Sequence, residues 1–116
     1  MDQMNPEFEK NVAEYQTVER QLQSVLLQKH QIQIQLNEIA IASEEIVKAK
    51  DDIYKATGSI LMKTTKEEGE KDLKNKKDLL EIRLKALIQQ EEKLKPMLLN
   101  LQKKIEANSK NYDVSS

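Results

Sequence analysis

The sequence has no cysteine and no tryptophan, and only two glycines and two prolines among its 116 residues. Without cysteine there is neither a disulfide nor a thiolate zinc site, which fits a reducing compartment. Aromatic residues make up 3% and charged residues 34%, a composition typical of long helices and coiled coils rather than of a compact globule. Because so few aromatics leave little apolar area to bury, we expect the chain's stability to depend on partner chains.

The sequence also lacks the features of several functional classes. It has no apolar run long enough to span a bilayer and no secretion signal at its start. The net charge of −1, with acidic and basic residues interspersed, argues against a nucleic-acid surface. Phosphate loops, nucleophile motifs and zinc spacings are missing, and the single histidine, His30, has no ligand pattern around it. These absences predict a cytoplasmic protein that is not an enzyme, needs no cofactor or metal, and binds neither nucleic acid nor membrane.

Two runs of apolar residues at heptad spacing dominate what is present. The first run holds two series, Phe8, Tyr15, Leu22 and Leu36 in one and Val18, Val25, Ile32, Ile39 and Ile46 in the other. The second run holds Leu73, Leu80, Leu87, Leu94 and Leu101, with Leu84, Leu98 and Ile105 on the companion series. A sustained heptad predicts a helix with a narrow apolar seam that another helix must cover.

Local signals set the expected helix ends within a single domain spanning 1–116. Asn5, followed by proline, provides an N-cap and predicts a first helix over about 6–50. A capping box that begins at Thr65 predicts a second helix over about 66–108. The polar residues 109–116 are expected to form a flexible tail.

The two helices are expected to pair antiparallel about one chain reversal. In such a pair, a positions face d positions of the other helix. This rule centres the pairing on Gly58, with Leu22 facing Leu94, Leu36 facing Leu80, and Ser43 facing Leu73. Only Pro96 conflicts with an unbroken second helix, because proline removes a backbone hydrogen bond, and it predicts a bend there.

The reversal itself is predicted to be a β-hairpin over about 53–64. Gly58 and Ser59 suit the central positions of a type II′ turn, since glycine tolerates positive φ. Apolar side chains fall on both faces of this hairpin: Ile53, Ile60 and Met62 on one, and Tyr54, Ala56 and Leu61 on the other. A lone two-stranded hairpin is marginal in water and has open edges. We therefore expect these six residues to join hairpins of other chains.

The helix ends remote from the turn are the candidates for binding a partner. Antiparallel pairing brings apolar residues of both termini together with little to cover them, and the candidates are Met1, Met4, Phe8, Val12 and Ile105. Flexible methionine side chains suit surfaces that accept many partners. The alternative is that Phe8 and Ile105 close the end of the coiled coil and the tails are disordered.

The sequence resembles the prefoldin family, and most closely its archaeal beta class, over nearly its full length. The stretch Tyr54–Thr65 resembles the family's Tyr-Lys-x-x-Gly hairpin followed by apolar residues and lysine. The segment Leu80–Leu87 is also similar to the family, and Gln21–Leu36 matches its glutamine-rich first helix. A single hairpin indicates the beta class, because alpha-class subunits carry a second one.

The resemblance implies a mainly α fold, a long antiparallel two-helix coiled coil joined by one β-hairpin, with the hairpins of an oligomer assembled into a β-barrel platform. It implies a hexamer of two alpha and four beta subunits that works without ATP. The coiled-coil tips would hold unfolded polypeptides and deliver them to a group II chaperonin, and the beta tips would also take part in chaperonin docking. Client contacts would then map to the terminal residues named above, and assembly contacts to the hairpin.

Two other interpretations compete with a chaperone subunit. A structural tether or oligomerisation coiled coil without client binding explains the heptads. It does not explain an apolar β-hairpin where a short polar loop would reverse the chain. A nucleic-acid-associated coiled coil is disfavoured by the balanced charge. Suppression of aggregation separates a chaperone from a tether, and salt-dependent DNA binding would support the third interpretation.

Overall fold

The computed structural model describes residues 5–114, with side chains over 5–109. Helix α1 (Pro6–Lys48) leads into strands β1 (Ile53–Thr57) and β2 (Ile60–Thr64), and helix α2 (Lys66–Val114) follows. The two strands form one antiparallel hairpin between the two long helices. This arrangement confirms the fold class predicted for the single chain. Neither helix contains, among the described residues, an apolar stretch that could cross a membrane.

Side-chain caps begin both helices at the expected residues. The amide of Glu7 donates a hydrogen bond of 3.0 Å to Oδ1 of Asn5, and the amide of Glu68 donates one of 3.1 Å to Oγ1 of Thr65. Each cap satisfies a first-turn amide that has no partner within the helix. The sequence positions of the two N-caps therefore fix where the helices start.

The C-terminal ends of the helices differ from the expectation. Helix α1 ends at Lys48 rather than near residue 50. Helix α2 continues to Val114, so residues 109–114 are helical where a flexible tail was expected. No glycine or proline interrupts this segment, and adding residues to an existing helix costs far less than nucleating one.

The chain divides into two compact units, each made of a segment of α1 and a segment of α2. The terminal unit comprises the described parts of Met1–Gln28 and Leu87–Ser116, and the hairpin unit comprises Lys29–Ala86. The buried apolar side chains of the terminal unit are Val18, Leu22, Val25, Leu87 and Leu101. Those of the hairpin unit are Ile32 and Ile39. Every one of them belongs to the predicted heptad series, which confirms the seam.

Proline does not stop helix α2. The helix runs through Pro96 without interruption, and the residue is exposed. An exposed proline costs the helix one backbone hydrogen bond but does not disturb the buried seam. The bend expected at Pro96 stays a prediction.

The hairpin has the predicted register and turn. Its cross-strand partners include Ile53 with Thr64, Lys55 with Met62, and Thr57 with Ile60. Gly58 has a φ of +63°. Every other residue in the described chain has a negative φ. Positive φ at the first central position alone fits a type II′ turn and excludes type I′, which requires it at both. Gly58 is therefore the residue that allows the tight reversal.

A second glycine permits close packing where the hairpin unit begins its second helix. A Cβ atom placed on Gly69 would collide with Cδ1 of Ile46. Cγ2 of Ile53 would lie 4.0 Å from the same position. Glycine in a helix costs about 1 kcal/mol relative to alanine. Because Gly69 has no side chain, Ile46 can pack against this turn of the helix. The apolar surface of Ile46 that is buried there offsets part of the cost.

Candidate functional site

The hairpin presents apolar side chains to solvent on both faces. We call Tyr54, Ala56, Ile60, Leu61 and Met62 the hairpin surface. Tyr54 is 56% exposed, Ile60 63%, Leu61 71% and Met62 55%, and Ala56 is also exposed. The register places Ile60 and Met62 on one face and the other three on the opposite face. An apolar patch on both sides of so small a sheet is typical of a surface that a partner covers.

Of the six residues predicted to make assembly contacts, Ile53 differs from the others. Its side chain is half-buried, and Cγ2 approaches the backbone of Gly69. The start of β1 therefore packs against the helices of its own chain. The remaining five residues are left available to partners.

Both strands of the hairpin are edge strands. The sheet contains only β1 and β2 within the described chain, so each strand has one side without a strand partner. Backbone amides and carbonyls along such an edge can pair with a strand from another chain. The hairpin thus offers hydrogen-bonding edges as well as apolar faces.

Three polar contacts attach the hairpin region to the helices or support its base. Nζ of Lys55 lies 2.9 Å from Oδ2 of Asp72, joining β1 to α2. Nζ of Lys66 donates a hydrogen bond of 2.8 Å to the carbonyl oxygen of Val47. Nζ of Lys63 lies 3.4 Å from Oδ2 of Asp52. All three lie at exposed positions, so each contributes modestly to stability.

A groove of about 640 Å³ lies beneath the hairpin, between it and the helices of the hairpin unit. Its lining mixes apolar and charged side chains, and it includes Ala42, Ile46, Ala49, Ile53, Leu73, Lys55 and Asp72. The ion pair of Lys55 and Asp72 therefore stands at the groove and holds the hairpin over it. The groove is continuous with the apolar residues of β1, since Tyr54 and Ala56 also line it.

The hydrogen bond from Lys55, together with the positive charge of that side chain, lowers the pKa of the Asp72 carboxyl. A carboxyl whose pKa is lower in the folded state contributes stability above its unfolded pKa. That contribution is lost as the pH falls through the lowered value. The attachment of the hairpin is therefore expected to weaken in acid.

We expect Asp72→Asn to loosen the hairpin at neutral pH and to have a smaller effect at an acidic pH, where the native carboxyl takes up a proton. The loss of stability is small because the ion pair is exposed to solvent. The rate of hydrogen exchange of the β1 amides, compared with the native chain at both pH values, measures the loosening. Asp78→Asn, at an exposed aspartate of the same helix, is the matched control. The same loosening of Asp72→Asn at both pH values would contradict the assignment.

The predicted client residues fall at one end of the terminal unit. Met1 and Met4 lie outside the described residues. Phe8, Val12 and Ile105 are half-buried, so each side chain keeps part of its surface in contact with solvent. Client binding by these residues, and the alternative in which Phe8 and Ile105 close the coiled coil, both stay predictions.

Sequence reasoning missed two asparagines at this end. Asn11 is 6% exposed, and Asn108 is half-buried. Nδ2 of each side chain is buried and has no hydrogen-bond partner within the described part of the chain. The pattern that would have identified Asn11 was present, since it lies seven residues before Val18 on the same heptad series. Asn11 therefore occupies a position of the heptad that faces the seam.

Comparison with known proteins identifies the family. A family model described as prefoldin subunit matches residues 9–112. Prefoldin subunit beta of Pyrococcus furiosus and that of Pyrococcus horikoshii are each 44% identical over 50 residues. These alignments cover 43% of this chain and 43% of each relative, so the match spans less than half the length of these curated relatives.

A solved structure extends the similarity over nearly the whole chain. The crystal structure of the prefoldin beta subunit from Thermococcus strain KS-1 is 34% identical and superposes with a TM-score of 0.79. The superposition covers 92% of this chain and 96% of that one. Together with the helix–hairpin–helix order and the register of the hairpin, these matches confirm the resemblance seen in the sequence: the chain belongs to the prefoldin subunit family.

Proposed function

We propose that this chain is a beta-class subunit of an ATP-independent chaperone, which holds unfolded polypeptides at the ends of its coiled coils and transfers them to a group II chaperonin. The observation that carries the proposal is the exposed apolar β-hairpin in a chain of the prefoldin family. A tether needs only a short polar loop to reverse its chain. An apolar hairpin with open edges supports an assembly in which several coiled coils act together.

The hairpin surface is the proposed assembly site. Its exposed residues would lose their contact with water when hairpins of neighbouring subunits pair edge to edge and close into a barrel platform. Burial of apolar area contributes roughly 25 cal/mol per Å², so side chains as exposed as Leu61 have much to gain. The proposed partners are an alpha-class prefoldin subunit and further beta copies, in the ratio of two alpha to four beta.

The end of the terminal unit is the proposed client site. Phe8, Val12 and Ile105, with Met1 and Met4, would supply small apolar patches for unfolded polypeptides. Each patch is small, so a single contact is weak, but several chains that bind one client raise its effective concentration and give avidity. Weak single contacts also permit release to a chaperonin without nucleotide hydrolysis. A small patch per chain keeps the free chaperone from aggregating.

An aggregation assay tests this function against a tether. The chain, co-expressed with an alpha-type prefoldin subunit, is expected to suppress the aggregation of a chemically unfolded model protein on dilution. A structural tether would leave aggregation unchanged. Failure to suppress aggregation at a several-fold excess of the assembled protein would reject the chaperone proposal.

Substitution at the proposed client site is expected to weaken holding without dissociating the assembly. We expect Phe8→Ser with Val12→Ser to lower the affinity for a permanently unfolded protein several-fold, because each chain loses apolar contact area. Deletion of residues 1–8 should act in the same direction. Affinity is measured by fluorescence anisotropy and assembly by sedimentation.

The matched control changes two exposed apolar residues on the same helix. Leu26 is 40% and Leu27 58% exposed, and both belong to the terminal unit. Leu26→Ser with Leu27→Ser should leave the affinity for the unfolded protein unchanged. Equal weakening by both pairs, or none by the pair at the helix end, would place the client site elsewhere.

A further inference from the structure

The seam of the terminal unit is mostly apolar, and besides the buried side chain of Glu91 it holds two asparagines near its end. Asn11 is more than nine-tenths buried, and its Nδ2 atom has no hydrogen-bond partner in the described residues. Nδ2 of Asn108 is likewise buried and unpaired over the same part of the chain. These are the two side-chain atoms in the described chain that are buried without a partner. Both lie in the terminal unit, on the two helices that pair there.

The pairing rule brings the two asparagines to adjacent layers. Leu22 faces Leu94 in the predicted register, and moving two heptads toward the termini sets Phe8 opposite Asn108. The companion series sets Asn11 opposite Ile105. The burial of the seam residues shows that both series face the opposing helix. In the predicted register, each asparagine lies beside an apolar residue of the proposed client site.

Unpaired amide donors make the closed end of the seam costly. A buried donor without an acceptor loses its hydrogen bonds to water and gains nothing in exchange. Leucine at both positions would fill the seam without this penalty, as it does at Leu94 and Leu101. An acceptor that reached the two Nδ2 groups would remove the penalty.

An unfolded polypeptide carries such acceptors at every residue. Its main-chain carbonyl oxygens are not paired in secondary structure, and they are the same whatever the side chains are. Hydrogen bonds to the main chain of an extended peptide give affinity without selecting its sequence, whereas side-chain pockets give specificity. Two amide donors beside apolar residues are thus suited to a client of varied sequence.

We propose that the two helix ends separate when an unfolded polypeptide binds, and that Asn11 and Asn108 then donate hydrogen bonds from Nδ2 to its main-chain carbonyl oxygens, next to the apolar contacts of Phe8 and Ile105. The inference rests on the proposed client-binding function and specifies its polar chemistry. A purely structural role, in which the asparagines only fix the register of the helices, is the competing explanation.

Two pairs of variants separate these explanations. Asn11→Leu with Asn108→Leu removes both donors and fills the seam, and Asn11→Ala with Asn108→Ala removes both donors and leaves the seam loose. The control, Asn100→Leu, makes the same change at an exposed asparagine of α2. Each variant is prepared as the full assembly and titrated with fluorescently labelled, reduced and carboxymethylated α-lactalbumin, which stays unfolded. Melting temperature and sedimentation mass accompany each titration.

Both pairs of substitutions are expected to raise the dissociation constant of this probe about tenfold. That is the effect of losing roughly two neutral hydrogen bonds. The leucine pair should also melt at a higher temperature than the native chain, while the control changes neither quantity. Undiminished binding by both pairs overturns the inference and leaves the asparagines a structural role. Undiminished binding by the alanine pair alone also overturns it, because opening of the seam would then suffice. If the native assembly does not bind the probe at all, the client-binding function itself fails.

Discussion

Replacing Leu61 and Met62 with aspartate is expected to release single chains whose helices stay folded. The two side chains are 71% and 55% exposed, so the chain alone tolerates the change. In the proposed platform the same positions are covered by neighbouring hairpins. Burial of unpaired carboxylates there costs far more than the lost apolar contact.

Sedimentation and circular dichroism together test this expectation. Sedimentation should show the mass of a single chain, and the circular dichroism spectrum should keep its helical signal. The matched control places aspartate at Met97 and Leu99, the same residue types at 48% and 53% exposure in the terminal unit. Met97→Asp with Leu99→Asp should leave the assembly intact. An unchanged mass for the hairpin variant would remove the hairpin surface from the assembly site.

Replacing Leu101 with alanine is expected to lower the free energy of unfolding by about 2–5 kcal/mol. Leu101 is 7% exposed and lies in the seam of the terminal unit. The substitution removes buried apolar volume and leaves a cavity in the seam. Chemical denaturation of the assembly at one protein concentration, followed by circular dichroism, measures the change.

The control for this prediction lies two residues away. Leu99 is 53% exposed on the same helix, and Leu99→Ala should change the free energy of unfolding by less than about 0.5 kcal/mol. Helix propensity favours alanine slightly over leucine, so a loss cannot come from that source. Similar losses at both positions would mean that the seam does not determine the stability of the terminal unit.

Much of the candidate site followed from local patterns. Gly58 is the residue that a tight hairpin requires, and it has the positive φ that the turn predicts. The register of β1 and β2 followed from the turn, because a two-residue loop fixes which residues face each other. The exposure of Leu61 and Met62 could be expected from the same alternation, since both faces of the hairpin carry apolar residues.

Other parts of the site depend on contacts that no local pattern contains. Ile53 is half-buried where it approaches Gly69, in the first turn of α2. The ion pair of Lys55 and Asp72 joins residues 17 positions apart. Nothing in the spacing of these residues distinguishes them from the many other charged and apolar residues nearby. Their roles appear only when the chain has folded back on itself.

For the buried asparagines, the sequence predicted the position of one residue, and the tertiary structure decided whether its side chain is paired. The heptad series places Asn11 at a seam position, and that placement needed only counting. Whether its amide found a partner across the seam depends on the side chains of the opposing helix. The structure answers that Nδ2 of Asn11 and of Asn108 remains unpaired in the described residues. The length of α2 was likewise decided by the folded helix, which continues into the segment expected to be a tail and ends at Val114.

By itself, the sequence determined the two helices, their apolar seam, the hairpin with its register, and the family, because periodicity, caps and turn residues act over a few neighbouring positions. The tertiary structure decided which hairpin residue packs inward, which charges pair, and which polar groups are buried without partners. These outcomes depend on atoms brought together from distant parts of the chain, and burial and hydrogen bonding exist only between groups that meet.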